Sequence, residues 1–251
     1  GVNRQGLVES ELDAALAILD AAPDLELVGL SSHFADVEDT LDRAFAHTQI
    51  DHFEAWRRAL AARGRDGLVC HMSCSASALV LPRAHWDMVR VGVAAYGIWP
   101  SRVTRVAARE AGHGDLDLRP ALTWTCGIAQ VRDVPRGRTV GYGGDWEAPV
   151  DSRIAVLPVG YSDGYPRRLS DRAHVLIHGR RAPVRGRICM NLTMVDVTHI
   201  PQARAGDPAV LLGAQGEERV TAEQLAGWLD TIPYEVLTGV SSRVQRVYWS
   251  A

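Results

Sequence analysis

The chain has 251 residues, a formal net charge of −3 and a hydrophobic fraction of 47%. This composition is typical of a globular protein with a sizeable core, and the charge argues against a nucleic-acid-binding surface. No apolar run approaches the length of about 18 residues that a membrane helix needs. We therefore expect neither a nucleic acid nor a membrane as partner.

All 27 basic residues are arginine, and the sequence contains no lysine. This excludes any mechanism in which a lysine of these residues forms a Schiff base or holds a phosphate. The cysteines fit neither a zinc motif nor a disulfide framework; they are Cys70, Cys74, Cys126 and Cys189. We expect reduced thiols, no metal and a cytoplasmic location.

The first hundred residues alternate helical segments with short apolar runs of strand length. Helices are predicted over about 12–23, 40–63 and 75–81, and strands over 25–30, 68–71 and 88–91. Such alternation is typical of a parallel sheet covered by helices. Because a complete eightfold barrel needs about 250 residues, only part of a barrel fits here.

The pattern changes after a linker at 101–115. Apolar residues then recur with period two, and Gly-rich turns separate strands predicted at 122–130, 154–159, 174–177, 182–185, 193–197, 209–212 and 240–249. One helix interrupts them, beginning at the capping box of Thr221 and Gln224. We expect an α/β domain over 1–115, followed by an all-β domain over 116–251.

Tyr142 lies among three glycines in Val-Gly-Tyr-Gly-Gly, residues 140–144. Glycines let the backbone turn sharply, so the phenol is expected to project, and a projecting phenol beside a cation can act as an acid or base. The alternative is a surface turn whose tyrosine packs against the protein.

Two residues follow or interrupt predicted strands of the first domain. His33 ends a strand, where barrel enzymes build their sites, although a single histidine is more often structural than catalytic. Arg90 lies inside the apolar run 88–92. A buried charge there needs an ion-pair partner or a ligand.

Gly92 and Val93 follow this run directly. Main-chain N–H groups at the end of a barrel strand commonly bind phosphate, and Ser75 offers a hydroxyl from the start of a helix. The alternative for Ser75 is a plain helix N-cap. Residues 160–168 combine turn formers with aromatic residues and arginines, and residues 186–191 combine Gly186 and Asn191 with Arg187. They are either ordinary loops or an entrance that attracts anions.

Eight stretches of the chain together resemble the alanine racemases, which are pyridoxal-phosphate enzymes with a TIM-like barrel and a C-terminal β domain. In chain order they read GVNRQG, SSHFAD, HMSCSA, MVRVGVAAYG, TVGYGGDW, LPVGYSDGYPR, GRICMN and YEVLTGVSSRVQRVY. The resemblance implies the C-terminal part of a TIM-like (β/α)8 barrel followed by a β-rich domain. It also implies a homodimer with shared active sites.

The resemblance implies roles for the residues identified above. Tyr142 matches the tyrosine base, which acts from the partner subunit, and Arg90 matches the arginine that donates to the pyridine nitrogen. His33 matches the link of an Arg90–His33–Tyr142 relay. Phosphate ligands are implied at Ser75 and at the backbone of Gly92 and Val93.

The resemblance also implies contacts with the substrate alanine. Arg4 matches an arginine near the cofactor hydroxyl and the substrate carboxylate, and the Met190 backbone N–H would meet the same carboxylate. Entrance-corridor positions are matched by Tyr161, Arg167 and Arg187.

The chain departs from the family pattern in several places. The family's cofactor lysine has no counterpart here, so we expect the chain to begin inside the barrel. Ser242 stands where an inner tyrosine is common, and Asn191 stands where many members have aspartate.

The function implied is interconversion of L- and D-alanine for peptidoglycan precursors. We expect the 251-residue chain to be inactive alone, because the lysine that holds the cofactor is absent. The alternatives are a non-catalytic scaffold or interaction protein and one half of a split enzyme.

Overall fold

The computed structural model describes residues 1–114 and 116–249. It divides into two compact units, residues 1–119 and 120–251, which are described separately. The predicted domains 1–115 and 116–251 include Asp115, Ser250 and Ala251, which lie outside the described residues.

The first unit alternates helices with short strands, as the sequence predicts. Its elements are α1 (Leu12–Asp20), β1 (Gly29–Ser31), α2 (Ala44–Ala61), β2 (Val69–His71), α3 (Ser75–Val80) and α4 (Arg102–Glu110). Strands β1 and β2 are parallel, with Ser31 opposite His71. Their carboxyl ends therefore lie side by side.

Helix α2 supplies much of the core of the first unit. Its buried face includes Ala46, Ile50 and Phe53, which belong to one hydrophobic cluster with Met72 and Ala76. The predicted amphipathic helix is thus present, but it begins at Ala44, where the Asp42 carboxylate accepts the backbone N–H at 2.9 Å.

Two predictions for this unit are wrong. Residues 88–91 do not form a strand; their backbone is irregular, and Arg90 N donates to Ser73 O at 3.0 Å. The chain then enters the 3-10 helix Val93–Tyr96. The predicted linker instead contains α4, whose N-cap Ser101 accepts the Thr104 N–H at 2.9 Å.

The second unit is mainly β-structure, as predicted. Its strands are β3 (Trp124–Gly127), β4 (Gln130–Val134), β5 (Thr139–Val140), β6 (Trp146–Glu147), β7 (Ser152–Leu157), β8 (His174–Ile177), β9 (Arg180–Pro183), β10 (Thr193–Asp196), β11 (Pro208–Gln215) and β12 (Glu218–Val220). They pair in the orders β10–β7–β4, β12–β11–β8–β9 and β5–β6, and β3 also pairs with β11. All of these pairings are antiparallel.

Two helices complete the second unit, α5 (Ala222–Leu229) and α6 (Pro233–Gly239). The predicted capping box is confirmed, because Thr221 Oγ1 accepts the Gln224 N–H at 3.2 Å and Gln224 Oε1 accepts the Thr221 N–H at 2.8 Å. None of the helices in the described ranges is long and apolar enough to cross a membrane.

The predicted strand over 240–249 is wrong. These residues form turns and irregular backbone. The guanidinium of Arg246 donates to the carbonyl oxygens of Val240 at 3.1 Å and Val244 at 2.8 Å. These carbonyl groups are therefore satisfied by a nearby side chain rather than by a neighbouring strand.

Candidate active site

Arg90 joins the ends of the two parallel strands of the first unit. Its Nη2 donates to the carbonyl oxygen of Ser32 at 2.7 Å and lies 3.2 Å from Nδ1 of His33. Its Nη1 contacts Nδ1 of His71. The charge that the sequence places in this segment is therefore held by two imidazole rings and by backbone oxygen.

These contacts determine the tautomers of the two histidines. A guanidinium has only donors and does not lose its proton in proteins, so each Nδ1 facing it must accept. The ring proton of His33, like that of His71, then lies on Nε2. Burial, followed by the charge of Arg90, lowers the pKa of both rings from 6.5. The two imidazoles are therefore neutral near pH 7.

His71 was missed by the sequence analysis. It ends β2 and pairs in register with Ser31 of β1, so it occupies the same edge of the sheet as His33. The signal was present in the stretch His-Met-Ser-Cys-Ser-Ala, where a histidine ends a short apolar run just as His33 does. It was not recognised because a second imidazole partner for Arg90 depends on a contact between distant residues.

Ser75 faces the segment that follows Arg90. Its Oγ accepts the backbone N–H of Gly92 at 2.9 Å and that of Ala94 at 3.4 Å. A hydroxyl has two acceptor positions and one donor, so these bonds leave the O–H of Ser75 as a donor. The alternative role of Ser75 as a plain N-cap is wrong, because Cys74 is the N-cap of α3.

The predicted phosphate ligands lie close together in the first unit. Gly92 directly precedes the 3-10 helix that begins at Val93, and a first helical N–H has no partner inside its own helix. A side-chain Cβ built at Gly92 would lie 3.9 Å from Ser75 Oγ. Because Gly92 has no side chain, space remains beside the Ser75 hydroxyl and the N–H groups of this segment.

Arg4, the predicted substrate arginine, lies in the exposed amino-terminal segment of the first unit. Its positive charge contributes to lowering the pKa of His33, after burial and Arg90. It thus adds positive potential to the surroundings of that imidazole.

Tyr142 lies in the second unit, on the 3-10 turn Tyr142–Gly144 that connects β5 to β6. The flanking glycines have positive φ angles, +80° at Gly141 and +79° at Gly143. The side chain is 70% exposed, which confirms the predicted projecting phenol and excludes the packed alternative.

Met190 is also in the second unit, on the loop between β9 and β10. The loop is fixed against the segment after β7, because Met190 O accepts the Ser162 N–H at 2.8 Å and Cys189 O accepts the Tyr161 N–H at 3.1 Å. A Cβ at Gly160 would collide with the backbone of 189–191. This glycine therefore permits the close approach of the two segments.

Two predicted corridor residues, Tyr161 and Arg167, line one cavity of about 460 Å³ in the second unit. The third, Arg187, instead forms an ion pair with Asp145 beside the Tyr142 turn. Ser242 and Asn191, the two departures from the family pattern, are both exposed.

Comparison with known proteins identifies the same family over both units. The model of the alanine racemase N-terminal domain matches residues 1–100, and that of the C-terminal domain matches residues 121–248. The alanine racemase of Leptospira interrogans is 39% identical over 223 residues, which are 89% of this chain and 57% of that protein.

Solved structures support the same assignment. The alanine racemase of Bacillus anthracis with bound L-Ala-P has a TM-score of 0.89 and 32% identity, covering 97% of this chain and 61% of that one. The enzyme of Bartonella henselae with covalently bound pyridoxal phosphate has a TM-score of 0.78 and 26% identity, covering 99% and 64%. The chain thus spans about three fifths of the length of these relatives.

Proposed function

This chain belongs to the alanine racemase family, and we propose that it takes part in the interconversion of L- and D-alanine with pyridoxal phosphate. The observation that carries the proposal is the arrangement of Arg90 between His33 and His71, with Ser75 beside Gly92. We further propose that β1 and β2 are neighbouring strands of a barrel wall, and that two copies of the chain form a homodimer.

The residues of the first unit fit a phosphorylated pyridine. The free O–H of Ser75 and the N–H of Val93 are donors suited to phosphate oxygens, and Gly92 leaves the space beside them open. Arg90 offers a permanently charged donor for the ring nitrogen. We propose these residues, with Arg4 and His33 close to the ring, as the binding site for pyridoxal phosphate.

Arg90 would determine the protonation state of the pyridine nitrogen that accepts its hydrogen bond. When bound, pyridoxal phosphate supplies an electron sink for the electrons of the breaking Cα–H bond. Because Arg90 does not give up its proton, a nitrogen that accepts its hydrogen bond stays unprotonated. The two imidazoles and the Ser32 carbonyl hold the guanidinium in place for this contact.

His33 connects Arg90 to the proposed tyrosine base. Its Nδ1 accepts from Arg90, which leaves Nε2–H as a donor. We propose that this N–H stabilises the phenolate form of Tyr142 of the partner subunit. The phenolate then accepts the Cα proton on one face of the substrate. The substrate carboxylate is assigned to Arg4 and to the Met190 N–H.

The absence of lysine limits what these 251 residues do alone. They hold the cofactor without a covalent bond to a lysine, and they provide a base for one face of Cα only. The opposite base has to come from polypeptide outside this sequence.

Hydrogen exchange at Cα of alanine tests the proposal. We would incubate the 251-residue chain with pyridoxal phosphate and either L- or D-alanine in D2O, and follow the α-hydrogen by NMR. We expect exchange of one enantiomer only and no conversion to the other. Tyr142→Phe should abolish the exchange, whereas Tyr248→Phe, which alters a 91% exposed tyrosine, should preserve it.

Three outcomes contradict the proposal. Exchange that is equal for the two enantiomers would show that the cofactor acts without the tyrosine. Exchange that survives Tyr142→Phe would assign the base to another group. Net racemisation by the chain alone would contradict the role of the absent lysine.

A further inference from the structure

The turn that carries Tyr142 is only weakly stabilised by its own backbone hydrogen bonding. Its backbone bond from Gly144 N to Gly141 O is long, at 3.5 Å. Three of its four residues are glycines with positive φ angles, Gly141, Gly143 and Gly144. Glycine loses more conformational freedom on ordering than any other residue, so this turn needs contacts from elsewhere to hold one conformation.

Such a contact comes from an ion pair with two hydrogen bonds. Arg187 Nη2 donates to Asp145 Oδ1 at 3.1 Å, and Arg187 Nε donates to Asp145 Oδ2. Asp145 directly follows the turn, whereas Arg187 lies on the loop after β9. Paired donors of this kind fix orientation as well as distance, which a single ion contact does not.

The guanidinium also lies directly over the turn. A Cβ built at Gly143 would come within 2.8 Å of Arg187 Cζ and 2.9 Å of Nη2. A Cβ at Gly141 would come within 3.1 Å of the Arg187 backbone nitrogen. The glycines on both sides of Tyr142 are therefore in contact with Arg187, and a larger side chain at either position would displace it.

From these contacts we infer that Arg187 and Asp145 are positioning residues, which hold the turn so that the Tyr142 phenol projects in one direction. The inference rests on the proposed role of Tyr142. Arg187 would thus act by holding the backbone of this turn within the second unit. Asp145 also lies close to the turn, because a Cβ built at Gly143 would come within 3.0 Å of Asp145 Oδ1.

Another ion pair of the second unit provides a matched control. Arg181 Nε donates to Glu218 Oε2 at 2.8 Å. The Glu218 side chain is 35% exposed and that of Asp145 is 39% exposed, so the two carboxylates are similarly accessible. That pair connects β9 to β12, neither of which includes the turn. Glu218→Gln therefore removes a comparable charge without altering the surroundings of Tyr142.

The test measures the Tyr142 turn in the chain without cofactor or alanine. Hydrogen–deuterium exchange reports the backbone of residues 139–147, and the 13C resonance of the Tyr142 ring, assigned with Tyr142→Phe, reports the phenol. We expect Asp145→Asn and Arg187→Lys each to speed exchange about threefold to fivefold and to shift or broaden the resonance. Glu218→Gln should change neither.

Unchanged exchange and resonance in Asp145→Asn would overturn the inference. The inference would also be overturned if Arg187→Lys, which keeps the charge and loses the paired donors, had the exchange rate and resonance of the wild type. The same holds if Glu218→Gln changed both as much as Asp145→Asn does. Because the measurement involves no alanine, such results would leave the proposed function standing. Failure of the α-hydrogen exchange, with the turn responding as expected, would contradict the function alone.

Discussion

Arg90 Nη2 lies 3.2 Å from Nδ1 of His33, and this contact fixes which nitrogen of the imidazole carries the proton. The same guanidinium contacts Nδ1 of His71 at the end of the adjacent strand. One arginine thus sets the protonation of two rings from different strands. The electrostatics of the proposed site follow from that arrangement.

Replacing Arg90 with leucine should raise the pKa of His33 and of His71. Burial and the charge of Arg90 both lower these pKa values from 6.5, and the substitution removes the charge. Because burial is the larger cause, the rise should be partial. NMR titration of the ring protons would measure it.

His174 is the internal control for that titration. Its pKa is lowered by burial and by Arg181 in the second unit, so its midpoint should not respond to the change at Arg90. Midpoints of His33 and His71 that stay unchanged in Arg90→Leu would exclude the proposed electrostatic coupling.

The Asp207–His178 pair should make stability depend on pH in the acid range. His178 Nε2 lies 2.7 Å from Asp207 Oδ2, and this hydrogen bond is the largest cause that lowers the carboxyl pKa from 3.8. The folded chain therefore binds fewer protons than the unfolded chain. The resulting stabilisation is complete above about pH 3.8 and is lost as the pH falls through the folded-state pKa.

Urea unfolding of the wild type and of Asp207→Asn would measure this effect. We expect the variant to be less stable at pH 7, with the difference in unfolding free energy shrinking below pH 3.8. In a His178→Gln background the difference at pH 7 should be smaller. A difference that is equal at pH 7 and at pH 3 would rule out the pair as its source.

Two glycine-to-alanine changes should have opposite effects on stability. Gly164 has a φ of +97°, and a Cβ there would collide with the Gly239 carbonyl. Gly227 lies inside α5, and apart from its chain neighbours and the nearby backbone of α5, no described atom lies within 4 Å of a Cβ built there. We expect Gly164→Ala to destabilise by at least about 1 kcal/mol and Gly227→Ala to stabilise by about 0.5–1 kcal/mol.

Thermal and denaturant unfolding of the two variants would decide between these effects. Because both changes add the same methyl group, a general effect of alanine cannot explain opposite signs. Destabilisation by Gly227→Ala equal to that by Gly164→Ala would contradict the packing described for α5.

Local patterns in the sequence predicted much of the fold. The capping box of Thr221 and Gln224 depends on residues three apart, and the period-two strands depend on alternation along one segment. The strand predicted over 240–249 failed because Arg246 bonds the carbonyl groups of that segment. The helix Arg102–Glu110 was missed although Ser101 provides its cap.

The candidate site was predictable to the extent that each residue stands in a recognisable stretch. Arg90, His33 and Ser75 were identified in this way. The contact of Arg90 with His71 and that of Arg187 with Asp145 were not, because each joins residues far apart in sequence. Such pairings depend on which strand ends and loops the fold brings together.

Ser75 gives the most direct test of the proposed cofactor site. Its hydroxyl should bind the phosphate of pyridoxal phosphate, so Ser75→Ala should remove that contact. Ser73 is the matched control, because its Oγ is equally buried but donates to Ala84 O at 2.7 Å. Pyridoxal, which lacks the phosphate, controls for binding of the ring.

The decisive measurement is the affinity of the 251-residue chain for pyridoxal phosphate and for pyridoxal, by equilibrium dialysis. We expect Ser75→Ala to weaken pyridoxal phosphate binding about tenfold and to leave pyridoxal binding unchanged, with Ser73→Ala affecting neither. Equal affinities of Ser75→Ala and the wild type for pyridoxal phosphate would contradict the assignment of this site.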